Sequence, residues 1–274
     1  LTLICGKTNT KIYHNMNFSI PGLDGYFGGK GSSGVPQQII NIIPPHETLI
    51  IPFLGHCAIT RSVKPAKKII AHEKDRSVFL KWCQYYDPIW KLYTQLEEFS
   101  HTSIGVHPNK IKIYNSCGIK YLEDANKTSY WEKGDLVYCD PPYLLETRTS
   151  GTRYEHEMTK EDHERFLNAV TKIDAPVLVS HYKNDMYDSH LKGWNTISFM
   201  SQTRNGKPRR ETVYFNYEKP TELHDYSYFG NCYRERENNK KRAANIVAKF
   251  ERMKPLEKNY YLNALQQSGV ISHR

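Results

Sequence analysis

The apolar residues of this chain fall into short unbroken runs, and amphipathic stretches separate them. Thr48 to Phe53, Lys68 to Ala71, Ile111 to Tyr114, Leu136 to Cys139, Pro176 to Ser180, Thr196 to Phe199 and Glu211 to Tyr217 each read as a strand. Val35 to Ile43, stopped by Pro44-Pro45, reads as a short helix, and Ser77 to Phe99 as a longer one. Thr159 to Ile173 is a third helix, with Thr159 as its N-cap and Asp162 three residues on. Strands alternating with helices predict an α/β fold with a mostly parallel sheet covered on both faces.

After Asn231 the pattern changes. Tyr233 to Arg242 is dense in charge, and Ile246, Val247, Phe250 and Met253 then recur at helical spacing, with another helix after Pro255. The expected organisation is one α/β domain over 16–230, a short helical insertion at 78–109, and a basic helical tail over 231–274. The tail reads equally as a solvated helix face or as a surface for phosphate or a partner. Residues 1–15, which precede Met16, show no period and read as an extension segment. No run approaches a membrane span and no signal peptide is evident, which predicts a cytoplasmic protein.

Charge narrows the partners. A net charge of +9 and a pI near 9.1 favour a polyanion. The six cysteines are scattered without a Cys-x-x-Cys pair, so no metal is expected. Cys57 and Cys139 read as small buried hydrophobes.

The most informative stretch is Leu136-Val137-Tyr138-Cys139-Asp140-Pro141-Pro142-Tyr143. Two prolines fix φ and remove two backbone donors, so the strand ends there and nearby carbonyls lose their ladder partners. That end is the ligand-binding edge of an open α/β sheet. A carboxylate, a free carbonyl and a stacking ring suit a planar group bearing an NH2, such as adenine.

This block resembles the Asp-Pro-Pro-Tyr signature of amino-group methyltransferases, and with its neighbours it is most similar to the Dam-like (D12 class, alpha-order) DNA adenine-N6 methyltransferases. The resemblance runs in blocks from about Gly22 to Tyr217 and implies a Rossmann-like fold that binds S-adenosylmethionine and releases S-adenosylhomocysteine. It implies Asp140, Pro141, Pro142 and Tyr143 as catalytic, with Asp140 also against the cofactor. The run Ile51-Pro52-Phe53-Leu54-Gly55-His56-Cys57 is similar to the family's Phe-x-Gly-x-Gly motif and implies Pro52, Phe53 and Gly55 as cofactor contacts; Cys57 replaces the second glycine. Glu73 is the acid expected to accept ribose hydroxyls, with Asp75 as the other possible register. Tyr26-Phe27-Gly28-Gly29-Lys30 resembles the family's amino-terminal motif, implying Tyr26, Gly28, Gly29 and Lys30 at the cofactor. The spacing of a phosphate loop, Gly-x-x-x-x-Gly-Lys-Ser/Thr, is absent there.

Double-stranded DNA is the implied partner, with the target base flipped out of the helix. Candidate strand contacts are Arg148 and Arg153 after the signature, and Arg204, Lys207, Arg209 and Arg210 in a basic turn between the last two strands. The 78–109 interval is short and aromatic (Trp82, Tyr85, Tyr86, Trp90, Tyr93). Core packing is its commoner use, which predicts a short or relaxed target sequence. The alternatives are amino-group methylation of RNA, or a silent nucleic-acid-binding scaffold; Asp140, rather than Asn, favours DNA. Restriction–modification, phage protection and regulation are all compatible settings.

Overall fold

The computed structural model describes residues 34–86, 104–107, 111–148, 155–202 and 208–271. The chain divides into one unit ending at Ser227 and a second spanning Tyr228–Arg274.

The first unit is built on an eight-stranded sheet. In chain order it contains α1 (Val35–Ile40), β1 (Thr48–Ile51), α2 (Ala58–Ser62), β2 (Lys68–Glu73), α3 (Arg76–Tyr86), β3 (Ile104–His107) and β4 (Ile111–Asn115). There follow α4 (Gly118–Lys127), β5 (Asp135–Cys139), α5 (Lys160–Val170), β6 (Val177–Tyr182), α6 (Asp185–His190), β7 (Asn195–Gln202) and β8 (Pro208–Phe215). The strand order is β3-β4-β2-β1-β5-β6-β8-β7. The five central strands β4, β2, β1, β5 and β6 are parallel; β3 and the β7–β8 pair are antiparallel additions at the two edges. This is the mostly parallel α/β sheet that the alternation predicts.

Every residue of β1 and of β5 is buried, which is why those segments carry unbroken apolar runs rather than alternation. On one face Ile50, Val137 and Val179 of three neighbouring strands pack with Leu122 of α4 and with Phe166, Leu167 and Val170 of α5. Burying a side chain of that size contributes roughly 1.5–3 kcal/mol. The start of α5 is fixed by a capping box: Thr159 accepts from the Asp162 amide while Asp162 accepts from the Thr159 amide.

The structure adds elements that the pattern does not predict, among them the short helix α2 between β1 and β2. Helix α4 lies between β4 and β5, where no helix is expected from the pattern, and α6 follows β6 on an Asn184 cap. Strand β3 falls inside the 78–109 interval expected to be helical, and pairs antiparallel with β4 from Ile104↔Tyr114 to His107↔Ile111. The helix expected to reach Phe99 is described from Arg76 to Tyr86, and its remainder lies outside the described residues.

The second unit holds α7 (Tyr233–Arg252) and α8 (Pro255–Gln267), and neither has a buried residue. Phe250 and Tyr261 meet edge to face at 6.5 Å.

Candidate active site

Strand β1 lies between β2 and β5. From β1 the chain runs outward through β2 and β4, then crosses back to β5 and β6 on the other side. The loops leaving β1 and β5 therefore diverge, and such a switch point opens a crevice at the carboxyl edge of the sheet. The crevice here, about 930 Å³ counting the solvent space at its open mouth, is lined by Pro52, Phe53 and Gly55 after β1, Glu73 and Asp75 at β2, and Asp140 to Tyr143 after β5. It thus gathers all the described residues expected to touch cofactor or target. Tyr26, Gly28, Gly29 and Lys30 lie outside the described residues.

Gly55 is the hinge of the first loop. Its φ of +43° is one that L side chains rarely adopt. Its N–H donates to Glu73 Oε2 at 2.7 Å, and its carbonyl accepts from the Trp82 indole at 2.7 Å. Trp82 is fully buried, in keeping with the core reading of that aromatic. Cys57 has φ −51° and begins α2, so the position that is glycine in the resembled motif does not demand one here. Burial pushes its thiol above the ordinary range.

Glu73 accepts a second backbone bond, from Asp75 N–H to Oε1 at 2.8 Å. Burial raises its pKa to about 7 against the pull of these N–H groups, and the Asp75 charge adds to the rise. Each oxygen keeps lone-pair capacity for a further donor. Asp75 does other work: its Oδ1 accepts from Ser77 and Val78 N–H at 2.8 and 3.3 Å, capping α3. Both carboxylates line the crevice, Glu73 with one backbone bond on each oxygen and Asp75 with two on Oδ1.

The amino end of α4 closes the far wall through Cys117, Gly118 and Ile119. A Cβ at Gly118 would lie 1.9 Å from the Pro52 carbonyl oxygen, so helix and loop approach as closely as glycine allows. His72 also lines the crevice, its ring stacked on Tyr121 at 3.9 Å and its Nδ1 2.8 Å from Ser116 Oγ. Burial lowers its pKa to about 4, so the ring is neutral near pH 7. None of these residues is among the sequence candidates. The position of Cys117, Gly118 and Ile119 just past β4, the third parallel strand, is the signal that would have found them, whereas His72 lies in β2 directly before Glu73.

The Asp-Pro-Pro-Tyr turn is fixed from behind. Leu144 N–H donates to His181 Nε2 at 3.0 Å. That bond makes Nε2 the acceptor, so Nδ1 carries the proton and donates to the Tyr182 carbonyl at 2.7 Å. The His181 ring is fully buried and stacks on Tyr187 at 3.9 Å, while Tyr143 packs on His181 and Tyr182 at 4.8 and 4.5 Å. Tyr187 in turn is 2.8 Å, through its hydroxyl, from Nδ1 of His163, whose pKa burial lowers to about 4.

The expected strand contacts are placed differently from one another. Arg148 is turned inward: its two terminal nitrogens donate to the two oxygens of Glu157 at 2.9 and 2.8 Å, and the side chains are 8% and 16% exposed. This arrangement ties the ends of the loop after the signature and takes Arg148 away from a passing phosphate, contrary to expectation. Arg209 and Arg210 belong to β8, and Arg210 is exposed. Arg153, Arg204 and Lys207 lie outside the described residues. Among the described residues, no group of three or more His, Cys, Asp or Glu could hold a metal, and no helix is long and apolar enough to cross a membrane.

Comparison with known proteins bears out the resemblance read from the motifs. Residues 91–205 match the D12 class N6 adenine-specific DNA methyltransferase family. No curated protein matches the chain. Solved structures with a similar fold include an S-adenosylmethionine-dependent methyltransferase from Agrobacterium tumefaciens, at 10% identity and TM-score 0.38 over 68% of this chain and 60% of that one. A dimethyladenosine transferase from Plasmodium falciparum is similar at 11% identity and TM-score 0.38, over 71% and 62% of the two chains. Magnesium protoporphyrin IX methyltransferase from Synechocystis PCC 6803 is similar at 12% identity and TM-score 0.35, over 65% and 78%. The chain thus spans less than two thirds of the first two.

Proposed function

We propose that this chain is an S-adenosylmethionine-dependent methyltransferase of D12 type that methylates the N6 amino group of adenine in double-stranded DNA, acting on a base flipped out of the helix. One observation carries the reading: the Asp140-to-Tyr143 turn opens into the same crevice as Gly55 and Glu73. A methyl acceptor and a nucleoside-bearing donor can therefore meet there.

The residues present fit the donor. Gly55 lets backbone approach a ligand closely, Glu73 offers acceptor oxygens for ribose hydroxyls, and Phe53 and Ile119 supply apolar walls. When bound, S-adenosylmethionine supplies a methyl group activated on a sulfonium. The chain's own work is on the acceptor. Adenine's amino nitrogen is a poor nucleophile because its lone pair is delocalised into the ring. The Asp140 carboxylate and the Pro141 carbonyl each accept one of its N–H bonds, which turns the lone pair out of conjugation and orients it. The positive charge that the nitrogen would gain on taking the methyl would be stabilised by Asp140 until one amine proton is released to solvent. Tyr143, set by Tyr182 and His181, offers a ring face to the base.

The Gly-Gly-Lys loop with Tyr26, Gly28, Gly29 and Lys30 closes over the donor in this reading, and Arg153, Arg204, Lys207, Arg209 and Arg210 meet the DNA backbone. The setting is the cytoplasm. Nucleoside mass spectrometry of plasmid DNA from expressing cells tests the reading: N6-methyladenine should appear and should vanish in Asp140→Ala. A different modified base, or modified adenine in RNA alone, overturns it.

A further inference from the structure

The strongest charge asymmetry of the chain lies outside the crevice. Tyr228–Arg274 carries ten Lys/Arg against four Asp/Glu, a net +6 of the whole chain's +9. Most of it is organised by α7. At about 100° per residue, Arg234, Lys241, Arg242, Lys249 and Arg252 project into one sector roughly 100° wide, with Asn238 and Asn245 between them. All five basic side chains are exposed. No acid projects into that sector. Glu235, nearest to it, accepts from Asn231 N–H at 2.9 Å, and Glu237 pairs with Lys240, which lies outside the sector. From Arg234 to Arg252 the row extends about 27 Å along the axis, at about 1.5 Å per residue.

We propose that this face of α7 docks on the phosphate backbone of duplex DNA. The proposal rests on the reading of DNA as substrate and gives the second unit a role in it. A row of cations with interspersed amides, and no competing carboxylate, is matched by a polyanion carrying one charge per about 1.7 Å of axis. The apolar stripe of α7, Ala243, Ile246, Val247 and Phe250, projects roughly opposite the basic row. A helix lying in a membrane surface would sink that stripe and turn most of the basic row away from the lipid phosphates, so the geometry favours nucleic acid. Because the contacts are to phosphate, they add affinity without reading sequence.

Binding of the full chain to a random-sequence 20-bp duplex is measured by fluorescence anisotropy across a salt series, for wild type and for R234Q/K241Q/R242Q/K249Q/R252Q. Neutralising the row should weaken binding by at least about 100-fold at 0.1 M salt and reduce the slope of log K against log salt by about 3–4. The variant R234K/R242K/R252K should keep the wild-type slope, which separates lost charge from lost fold. Equal slopes for wild type and the five-fold variant overturn the proposal. So does a loss confined to single-stranded DNA or to RNA, or a loss confined to vesicles of phosphatidylcholine and phosphatidylserine. Methyl transfer at saturating DNA is read in parallel. If wild type makes no N6-methyladenine while the slopes differ, the enzymatic reading fails and the docking face stands; if transfer is normal and the slopes agree, only the docking face fails.

Discussion

Replacing Glu73 with glutamine tests the cofactor side of the site most directly, because the structure gives it a sign and a size. Folded Glu73 keeps its proton up to about pH 7, against an ordinary value of 4.5. Between these values the folded protein holds a proton that the unfolded chain has released. Stability therefore falls as pH rises through this window, and the cost is complete above pH 7, at roughly 3 kcal/mol. Glu73→Gln lacks this titration. Its stability relative to wild type should rise by about that amount between pH 4.5 and 7, whatever constant cost follows from offering Gly55 or Asp75 N–H an amide nitrogen in place of a carboxylate oxygen. If ribose hydroxyls donate to the ionised carboxylate, donor affinity should move the opposite way. At pH 6 only about a tenth of the free protein is ionised at Glu73, so binding should be roughly tenfold weaker than at pH 8 and should release about 0.9 proton. Titration calorimetry in two buffers of different ionisation enthalpy reads both quantities, and the difference from Glu73→Gln removes titration of the ligand's own groups. A wild-type affinity flat from pH 6 to 8, with no proton release, would falsify the assignment of Glu73 to the ribose.

Four further outcomes follow from the geometry. Asp140→Ala should lower single-turnover transfer at least about 100-fold while leaving donor affinity within about twofold, since one charge-stabilising acceptor is lost and the wall formed by Gly55 and Glu73 is intact. His181→Phe keeps the stack on Tyr187 but removes the acceptor for Leu144 N–H; kcat should fall about tenfold or more with donor affinity unchanged, and His181→Gln should restore part of it. Gly118→Ala should cost at least about 2 kcal/mol in a urea titration and weaken donor binding, because its Cβ meets backbone rather than a movable side chain. His72 and His163, buried and neutral with pKa values near 4, contribute stability above their ordinary value of 6.5 that is lost as pH falls through 4; thermal melts of His72→Gln should show less acid destabilisation than wild type between these values.

The centre of the sheet was legible because β1, β2, β5 and β6 are buried on both faces, and continuous apolar runs such as Thr48-Leu-Ile-Ile and Leu136-Val-Tyr-Cys have few other uses. The residues that end those strands were legible too, since glycine with positive φ and paired prolines are strong local constraints. What escaped was set by partners that the local pattern does not reveal. Helix α4 begins without a side-chain cap, and what places it is contact with Pro52, some sixty residues earlier. His181 reads as an ordinary strand-end residue until the Leu144 amide, 37 positions away, is found on its ring. Arg148 reads as a free cation until Glu157 occupies both arms of its guanidinium.

The two halves of the crevice are built on opposite physical plans, and the chemistry explains why. In the proposed reaction Asp140 and the Pro141 carbonyl hold an amine within a few tenths of an ångström, and a flexible turn there would lose the orientation on which the rate depends. Two prolines, a buried histidine of fixed tautomer and three further rings remove that freedom. On the donor side, Glu73 is held where burial works against its charge. Two backbone N–H bonds position it without fully relieving that cost, so the ionised form is stabilised further only when additional donors arrive. Asp75, by contrast, is committed through Oδ1 to capping α3. Under the proposed role, poor solvation of Glu73 is therefore a source of affinity for a ligand bearing two adjacent hydroxyls. It also predicts discrimination: removing one of those hydroxyls from the donor should weaken binding to wild type more than to Glu73→Gln, and equal losses in the two proteins would place the ribose elsewhere.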